Sequence, residues 1–372
     1  MILVLGAGAA GLAAARTLGA AGGLSYTVSE RSAVARGFDV LCGEEPAKLY
    51  QAFFQWLRWS ERHAAPGESL ASTLTRWPAR GTVAQSRFFR AFMEQWLAGP
   101  LDQISAEHWD ADEDLPGGDA VPGAGYGAVV SRLADGLDVT LGFEVSQVVD
   151  MGDRVRVGSR DGRSVDGDAI IVTLPLGVLR SGAVSFAPDL ETSRIEALHR
   201  MGFGALEKVA LAFESPFWQH DDHHLLAVYP TEEDPWATFY PLSPYGHGQR
   251  IVALTGGRAS AFVSTWDDAQ LTRSAMDALR RHYPGAPEPV HMLRTGWASD
   301  RFSRGSYSFP ATGMDPSDYD RLAQPLTPRI LFAGEATHRL HPATVHGAYE
   351  SGVREAHRLL GGGLASRHGS AA

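Results

Sequence analysis

The chain has 372 residues, of which 33 are basic and 43 acidic, so its formal net charge is -10 at pH 7. This length predicts two domains, and the acidic balance disfavours nucleic acid or an anionic membrane surface as the principal partner. The single cysteine, Cys42, excludes an internal disulfide and a multi-cysteine metal site, and no apolar run reaches the roughly 18 residues of a membrane span. We predict a soluble, cytoplasmic protein with a small-molecule ligand, as either a monomer or a homodimer.

The N-terminal segment has the element order of a dinucleotide site. Apolar residues 2–5 predict a strand, residues 9–20 predict an alanine-rich helix, and residues 26–29 predict a second strand that ends before Glu30. The sequence Gly-Ala-Gly-Ala-Ala-Gly occupies positions 6–11, where the first strand gives way to the helix. This placement, with an acid about 20 residues further on, indicates a phosphate-binding loop rather than a chance turn.

Each glycine of this loop has its own expected role. Gly6 permits the tight turn, Gly8 lets the backbone approach a pyrophosphate, and Gly11 lets the helix pack closely on the strand. The helix N-terminus supplies N–H groups and a favourable dipole for the phosphates, and Glu30 can accept hydrogen bonds from a ribose. The later glycines at 123–127 follow a proline rather than a strand, so a separate NAD(P)H-binding domain is not expected.

The next part of the chain predicts helices. Residues 49–101 are rich in Trp, Phe and Leu at helical spacings, with breaks near Pro66 and Pro78. We interpret this part as a helical insertion. The acidic and glycine-rich stretch 110–127 then marks a return crossing between domains.

Alternating apolar residues return after this crossing. Residues 139–149 and 154–157 predict a hairpin, joined through Asp161 and Gly162, and residues 169–174 predict a buried strand. The remaining predicted elements are a mixed segment at 190–294, a strand at 330–333, a helix at 345–360 and a disordered tail after 361.

Several further stretches are best considered together. They are residues 172–179 (VTLPLGVL), 202–209 (GFGALEKV), 305–308 (GSYS), and 332–337 (FAGEAT) with 342–348 (PATVHGA). Their order and spacing resemble the flavin amine oxidase family, most closely its polyamine oxidase and lysine-specific histone demethylase branch. The resemblance implies an α/β fold, in which a discontinuous, Rossmann-like FAD-binding domain carries an inserted α+β substrate domain.

The resemblance also implies where the domains end and how FAD is held. In the family, the match to Gly334-Glu335 lies along the ribityl and pyrophosphate part of FAD, and the match to Thr344-Val345 opens a helix that points at the flavin ring. A helix N-terminus in that position stabilises negative charge on the reduced flavin. The expected bounds are 1–45, 117–190 and 295–372 for the FAD-binding domain, and 46–116 and 191–294 for the substrate-binding domain.

FAD should be bound non-covalently, because no cysteine follows Cys42 for the attachment known in the monoamine branch. Trp297 matches a tryptophan that the family places near the flavin, although so large an aromatic could equally belong to the core. The residues that we expect to contact the cofactor are Gly6, Gly8, Ala10, Gly11, Glu30, Arg31, Arg36, Val145, Trp297, Gly334, Glu335, Thr344 and Val345.

Lys208 is the first of two residues that we predict to be catalytic. It is one of only two lysines in the chain, and a strand would place Leu206, Lys208 and Ala210 on one otherwise apolar face. Burial lowers the pKa of a lysine, which can then give up its proton and hold or activate a water. By resemblance, Lys208 matches the lysine that holds a water near the flavin N(5) atom. The alternative is an edge-strand lysine that extends into solvent.

Two positions depart from the family pattern. The family's paired-glycine and arginine motif is shortened here to residues 35–39 (ARGFD), in which Arg36 could still reach a phosphate. His341, the second predicted catalytic residue, stands where the family has an aromatic residue that walls the amine pocket. A histidine there could assist amine deprotonation or merely fill the wall. Residues 220–224 (HDDHH) could suggest a metal site, but their crowded spacing favours a solvated loop.

These observations predict a FAD-dependent amine oxidase. The amine-bearing carbon of a small amine would donate a hydride to the flavin, water would hydrolyse the imine, and dioxygen would reoxidise the flavin to give hydrogen peroxide. We expect a small substrate because the chain carries no long appended domain for a macromolecular partner. Two alternatives stay open: a FAD-dependent desaturase or dehydrogenase of a carbon skeleton, and a redox-neutral isomerase or a flavin-binding protein without catalysis.

Overall fold

A computed structural model of the chain describes most of the sequence, namely residues 1–19, 38–40, 46–79, 81–113, 115, 122–218, 225–231 and 235–361. Some of the sequence predictions therefore lie outside the described residues: the strand at 26–29, Glu30, Arg31, Arg36 and the cluster at 220–224.

The strands of the described residues form four sheets. In chain order they are β1 (Ile2–Leu5), β2 (Phe38–Val40), β3 (Val145–Asp150), β4 (Val155–Ser159), β5 (Ser164–Gly167), β6 (Ala169–Val172), β7 (Ser185–Ala187), β8 (Gly202–Gly204), β9 (Glu207–Ala212), β10 (Leu225–Ala227), β11 (Thr238–Pro241), β12 (Arg250–Thr255), β13 (His291–Arg294), β14 (Tyr307–Phe309) and β15 (Ile330–Phe332).

The helices of the described residues surround these sheets, and none of them combines the length and apolar character that crossing a membrane requires. In chain order they are α1 (Ala9–Gly19), α2 (Pro46–His63), α3 (Leu70–Arg76), α4 (Val83–Leu97), α5 (Gly125–Ala134), α6 (Leu176–Arg180), α7 (Thr192–Arg200), α8 (Gly257–Val263), α9 (Asp268–Arg280), α10 (Ser317–Ala323) and α11 (Val345–Gly361), with short 3-10 helices at Ser243–Tyr245 and Glu335–Thr337.

A three-stranded parallel sheet with the order β1-β6-β15 joins the N-terminal strand to strands from later in the chain. The middle strand β6 is buried throughout, as expected for a parallel strand covered on both faces. The register pairs Leu5 with Val172, and Phe332 with the same Val172. Because the three strands end together, the loops that follow them meet at one edge of the sheet, where open parallel sheets bind their ligands.

A six-stranded mixed sheet with the order β13-β9-β12-β11-β10-β2 forms the second large layer. One face of this sheet packs on α9, where Val209 and Leu211 of β9 share a core cluster with Leu271 and Ala275. Since side chains alternate along a strand, Lys208 lies on the opposite face. The sheet therefore has a packed side and a more open side, and the lysine belongs to the open side.

The prediction of a single hairpin at 139–157 was wrong. Strands β3, β4 and β5 form three consecutive antiparallel strands, and β3 starts only at Val145. Two turns separate these strands, and each contains a glycine with a positive φ, Gly152 at 90° and Gly162 at 88°. The Asp161-Gly162 turn thus joins β4 to β5, while the turn around Gly152 joins β3 to β4.

Helices α2, α3 and α4 occupy the predicted helical stretch and are separated near Pro66 and Pro78, as the sequence indicated. Their core is aromatic: the Trp56 and Phe89 rings lie parallel with centroids 6.0 Å apart. A capping box fixes the start of α4. The Thr82 hydroxyl accepts the Gln85 N–H, and the Thr82 N–H donates to the side-chain oxygen of Gln85.

The first and last helices of the described chain pack against each other. The approach is so close that a Cβ at Gly352 of α11 would lie 2.0 Å from the carbonyl oxygen of Ala10 in α1. Only glycine permits this contact without displacing backbone. The N-terminal strand and helix are consequently completed by residues from the other end of the chain.

Candidate active site

The glycines of the loop at residues 6–11 differ in what the fold requires of them. A Cβ at Gly6, whose φ is 116°, would lie 2.4 Å from Thr173 Oγ1, and a Cβ at Gly11 would lie 1.9 Å from the Gly6 carbonyl oxygen. A Cβ at Gly8 would meet nothing within 4 Å. Protein packing thus explains Gly6 and Gly11. The missing side chain at Gly8 leaves the backbone open to the cavity, as a bound pyrophosphate requires.

This cavity lies at the edge of the parallel sheet and has a volume of about 180 Å³. Gly8 and Ala10 line it at the start of α1, and Gly334 and Glu335 line it after β15. The structure therefore brings together two segments that the sequence placed on the same cofactor. Arg194, which the sequence did not single out, also lines the cavity.

The carboxylate of Glu335 is held by the protein itself. Its Oε1 accepts the Ser308 N–H at 3.2 Å, and its Oε2 accepts the Ser308 hydroxyl at 2.6 Å and the Ala343 N–H at 2.8 Å. Burial raises the pKa of this carboxyl above its ordinary range, against the effect of these hydrogen bonds. With its carboxylate engaged by Ser308 and Ala343, Glu335 joins β14 to the loop before α11.

Thr344 and Val345 form the start of α11, as the sequence indicated. The Thr344 hydroxyl accepts the Gly347 N–H at 2.9 Å, which is the bond of a helix N-cap, and donates to the His341 carbonyl oxygen at 2.8 Å. Val345 is exposed. The first turn of the helix is consequently accessible to a ligand.

Lys208 is paired in register with Leu254 of β12, and Leu254 with Thr238 of β11. The lysine side chain reaches solvent, yet the protein atoms around it desolvate the amine and lower its pKa. In the described part of the chain, no hydrogen-bond or ion-pair partner of this amine is present. Leu206, which the sequence placed on the same strand face, lies just before β9.

Trp297 and Val145 differ in their surroundings. Trp297 is 43% exposed and is therefore not a core residue. Its backbone carbonyl accepts the Gly305 N–H at 2.9 Å, which closes the loop between β13 and β14. Val145, at the start of β3, is half-buried against the cluster that contains Ile170 and Val172.

His338, His341 and His346 gather with Glu350 around the start of α11. The rings of His338 and His341 stack with centroids 5.2 Å apart, and the His346 ring lies 4.9 Å from that of His341. The Nε2 atoms of His338 and His341 lie 3.2 and 4.0 Å from Glu350 Oε2. Burial lowers the pKa of His338. Among the described residues, no group of three or more His, Cys, Asp or Glu is arranged to hold a metal ion.

Hydrogen bonds assign the protons of the two stacked rings. His338 Nδ1 accepts the backbone N–H of His341 at 3.1 Å, so its proton is on Nε2, which faces Glu350. His341 Nδ1 lies 2.9 Å from the carbonyl oxygen of Glu113, which can only accept, so that nitrogen carries the proton. Nε2 of the neutral His341 ring is therefore left as a proton acceptor.

The sequence did not indicate a polar cluster in which Tyr307 and Tyr240 contact residues 95 and 96 of α4. Tyr307, inside the quoted GSYS stretch, donates its hydroxyl to the Trp96 carbonyl oxygen at 2.9 Å. Gln95 Nε2 lies 3.4 Å from the Tyr240 hydroxyl on β11. Burial raises the pKa of both tyrosines, so both hydroxyls stay neutral; Tyr307 donates, and Tyr240 accepts from Gln95 Nε2. The position of Tyr307 in the GSYS stretch could have indicated it, but nothing local indicates Gln95.

The family profile described as flavin containing amine oxidoreductase matches residues 34–360. The chain belongs to this family. Members of the family bind FAD, and the open backbone at Gly8 fits a dinucleotide. The resemblance drawn from the sequence motifs is thereby confirmed.

Among curated proteins, the chain is similar to two kinds of enzyme. It is 32% identical to lysine-specific histone demethylase 2 of Homo sapiens over 86% of this chain and 38% of the relative. It is 35% identical to polyamine oxidase 2 of Arabidopsis thaliana over 71% of this chain and 53% of the relative. The chain thus spans between about a third and a half of the length of these two relatives.

A solved structure of putrescine oxidase, in its wild-type form bound to putrescine, has the same fold. The TM-score is 0.74 at 18% identity, and the match covers 97% of this chain and 98% of that chain. The mixed α/β fold of the chain therefore matches that of putrescine oxidase.

Proposed function

We propose that the chain is a FAD-dependent oxidase of a small amine and that it holds FAD non-covalently. Lys208 carries this proposal, because its amine has a lowered pKa and no partner in the described part of the chain. Such an amine can hold a water on the open sheet face. Bound FAD would accept a hydride from the amine-bearing carbon and would return to its oxidised form with dioxygen, giving hydrogen peroxide.

The fold supplies two helix starts for this cofactor. The start of α1, beside Gly8, would hold the pyrophosphate, because its N–H groups and dipole favour negative charge. The start of α11, at Thr344 and Val345, would face the pyrimidine end of the flavin ring for the same reason. Glu30 on the ribose and Arg36 on a phosphate complete the proposed contacts, and the domain bounds given above belong to the same proposal.

Lys208 and His341 have separate roles in this proposal. The Lys208 amine positions a water near flavin N(5), where it serves imine hydrolysis or flavin reoxidation. His341 offers Nε2 as a proton acceptor, since its Nδ1 proton is directed at the Glu113 carbonyl oxygen. Because an amine must be neutral before its C–H bond can donate a hydride, a histidine in the pocket wall would assist by taking the ammonium proton.

The substrate class is proposed from what the relatives are called and from where this chain differs. The relatives are named for polyamines and for histone lysine, and the solved structure holds putrescine. All of these are amines with primary or substituted nitrogen. His341 replaces an aromatic wall residue, so cation-π capture of a charged ammonium is weaker and a small neutral amine is favoured.

The decisive experiment is the visible spectrum of the purified protein before and after anaerobic addition of amines. The panel contains monoamines, putrescine, a longer polyamine and a methyl-lysine peptide. A flavin spectrum that bleaches with one of these amines and returns with air would support the proposal. A bound flavin that no amine bleaches would favour a desaturase or a redox-neutral flavoprotein, and a protein that binds no flavin would contradict the proposal at its first step.

A further inference from the structure

Glu207 is a buried carboxylate directly before Lys208, and it is only 4% exposed. Its side chain points away from the face that carries the lysine, because neighbouring residues of a strand alternate. Within the described ranges, no arginine, lysine or histidine forms an ion pair with it. A buried carboxylate without an ion pair needs hydrogen-bond donors, and the donors to Glu207 indicate which part of the fold it stabilises.

Both carboxylate oxygens of Glu207 bind the segment that carries Trp297. Oε2 accepts the Thr295 hydroxyl at 2.6 Å, and Oε1 accepts the Ala298 N–H at 3.0 Å. The two donors lie on either side of Trp297 in the sequence. One buried side chain therefore fixes the backbone both before and after the tryptophan.

The same segment is tied to the backbone of Lys208. The Thr295 hydroxyl oxygen accepts the Lys208 N–H at 2.9 Å, and the Thr295 N–H donates to the Lys208 carbonyl oxygen at 3.0 Å. Thr295 thus connects Glu207 with Lys208 directly. These bonds extend the pairing of β9 with β13 by one residue, up to the loop in which Trp297 is exposed.

The far end of this loop is anchored at the same place. The Gly305 N–H donates to the Trp297 carbonyl oxygen at 2.9 Å, and the Ser306 hydroxyl accepts the Leu206 N–H at 2.8 Å. Both ends of the loop are thus fixed beside the start of β9, and a bond within the loop, from the Asp300 N–H to the Gly296 carbonyl oxygen at 3.0 Å, holds it further. Glu207 adds a bond from outside the loop, at the residue directly after Trp297.

We propose that Glu207 is a positioning residue that holds Trp297 at a fixed place relative to Lys208. This inference rests on the proposed function, in which Lys208 lies near the flavin, and on the family resemblance, which implies that Trp297 does so too. Glu207 does not itself reach the cofactor side of the sheet. A carboxylate is needed because the Thr295 hydroxyl and the Ala298 N–H both donate, whereas glutamine offers one accepting oxygen and an N–H₂ group that would oppose a donor.

The first test follows the Ala298 N–H in the FAD-loaded protein by amide hydrogen exchange. Replacing Glu207 by glutamine should speed exchange at Ala298 and in the loop up to Gly305 by about 10-fold, because one of the two buried acceptor oxygens is replaced by a donor. Glu94→Gln is the matched control, since Glu94 is also 4% exposed but accepts the N–H of Leu101, away from this loop. Exchange at Ala298 that is the same in E207Q and the parent would overturn the proposal.

The second test measures flavin reoxidation. Anaerobic reduction with dithionite needs no amine, so mixing the reduced protein with oxygen reports on this site whatever the substrate is. E207Q should slow reoxidation by about 10-fold, because misplacing a group near the reacting atoms has effects of this order or larger. In a W297F background the same change should slow it by less than about 2-fold, as expected for residues that act as one unit. Equal slowing in both backgrounds would show that Glu207 acts through general stability instead.

A pair of variants at Thr295 keeps the test decisive if E207Q does not fold. Thr295→Val removes the hydroxyl that links Glu207 to Lys208 and should slow reoxidation as E207Q does. Thr295→Ser keeps the hydroxyl and should restore the parent rate. A serine variant as slow as the valine variant would contradict the proposal. Failure of every amine to reduce the flavin, with these effects intact, would contradict only the proposed function.

Discussion

The carboxylate of Glu335 accepts the backbone N–H of Ala343 at 2.8 Å, across the bend that leads from β15 into α11. Ala343 has a φ of 59°, a left-handed conformation that a side chain other than glycine adopts only at some cost. The same carboxylate holds Ser308, so one buried acid stabilises the bend and the strand beside it.

Glu335→Gln should lower the free energy of unfolding by about 1–3 kcal/mol, because one amide oxygen cannot accept from every donor that Glu335 serves and a buried donor is left unpaired. Ser308→Ala, which removes one donor and leaves the backbone bonds, should cost about 1 kcal/mol. Urea unfolding of both variants measures this difference. If E335Q is as stable as the parent protein, the Glu335 carboxylate does not stabilise this bend.

Alanine at Gly8 and at Gly11 should separate cofactor binding from folding. Gly8→Ala places a methyl group in open space and should leave the unfolding temperature of the FAD-free protein unchanged, while it weakens FAD binding by about 10-fold or more, since it fills the place of a close backbone approach. Gly11→Ala pushes a Cβ against the Gly6 carbonyl oxygen and should destabilise the protein by about 1–3 kcal/mol. Thermal unfolding with and without FAD tests both variants, and equal FAD affinity in G8A and the parent would argue against the phosphate assignment.

Lys208 should make stability depend on pH in a defined direction. Its folded-state pKa is lowered by burial, so between that value and 10.5 the unfolded chain holds a proton that the folded chain has lost. Stability contributed by this group therefore rises with pH across that window. Lys208→Met should be more stable than the parent near pH 7, and the advantage should shrink as the pH approaches 10. Urea midpoints at the two pH values test this, and an advantage that does not change with pH would mean that the amine is fully solvated.

His341 should be visible in the kinetics of amine oxidation. If its Nε2 accepts the substrate proton, His341→Phe should lower kcat/KM by about 100-fold or more, because a positioned general base contributes rate factors of this order. Glu350→Gln keeps the ring and removes only the carboxylate 4.0 Å from Nε2, so it should lower kcat/KM less than His341→Phe does. Steady-state kinetics with an amine that bleaches the flavin measure both variants. A kcat/KM that is the same in H341F and the parent would leave His341 as a wall residue.

The parts of the site that the sequence predicted are those with a short-range pattern. The helix expected at 9–20 is α1, ending at Gly19, and the helix expected at 345–360 is α11, ending at Gly361. Glycine spacing and apolar runs specify such elements because a turn or a helix is determined by neighbouring residues. Local pattern also explains the wrong hairpin prediction, because it allows a turn at Gly152 or at Gly162 without showing which is formed. The pairing of β4 with both β3 and β5 shows that both turns are formed.

Contacts between distant residues could not be predicted in this way. The bonds from Glu207 to Ala298 and from His341 to Glu113 join segments with no shared local pattern, and each depends on how sheets and loops come together. Glu207 directly precedes Lys208 in the GFGALEKV motif. A charged residue that must alternate to the buried side of a strand is a signal that the sequence does contain.

The close contact of Gly352 with the Ala10 carbonyl oxygen has a consequence for how the protein is made. During synthesis, β1 and the phosphate loop leave the ribosome long before β6, β15 and α11, the elements that pair with them or cover them. Contacts between segments this far apart in the sequence form slowly, because the chain loses conformational entropy before the contacts can stabilise it. Strand β1 therefore stays unpaired until β6 has been made, and the packing of α1 is completed only when α11 docks on it.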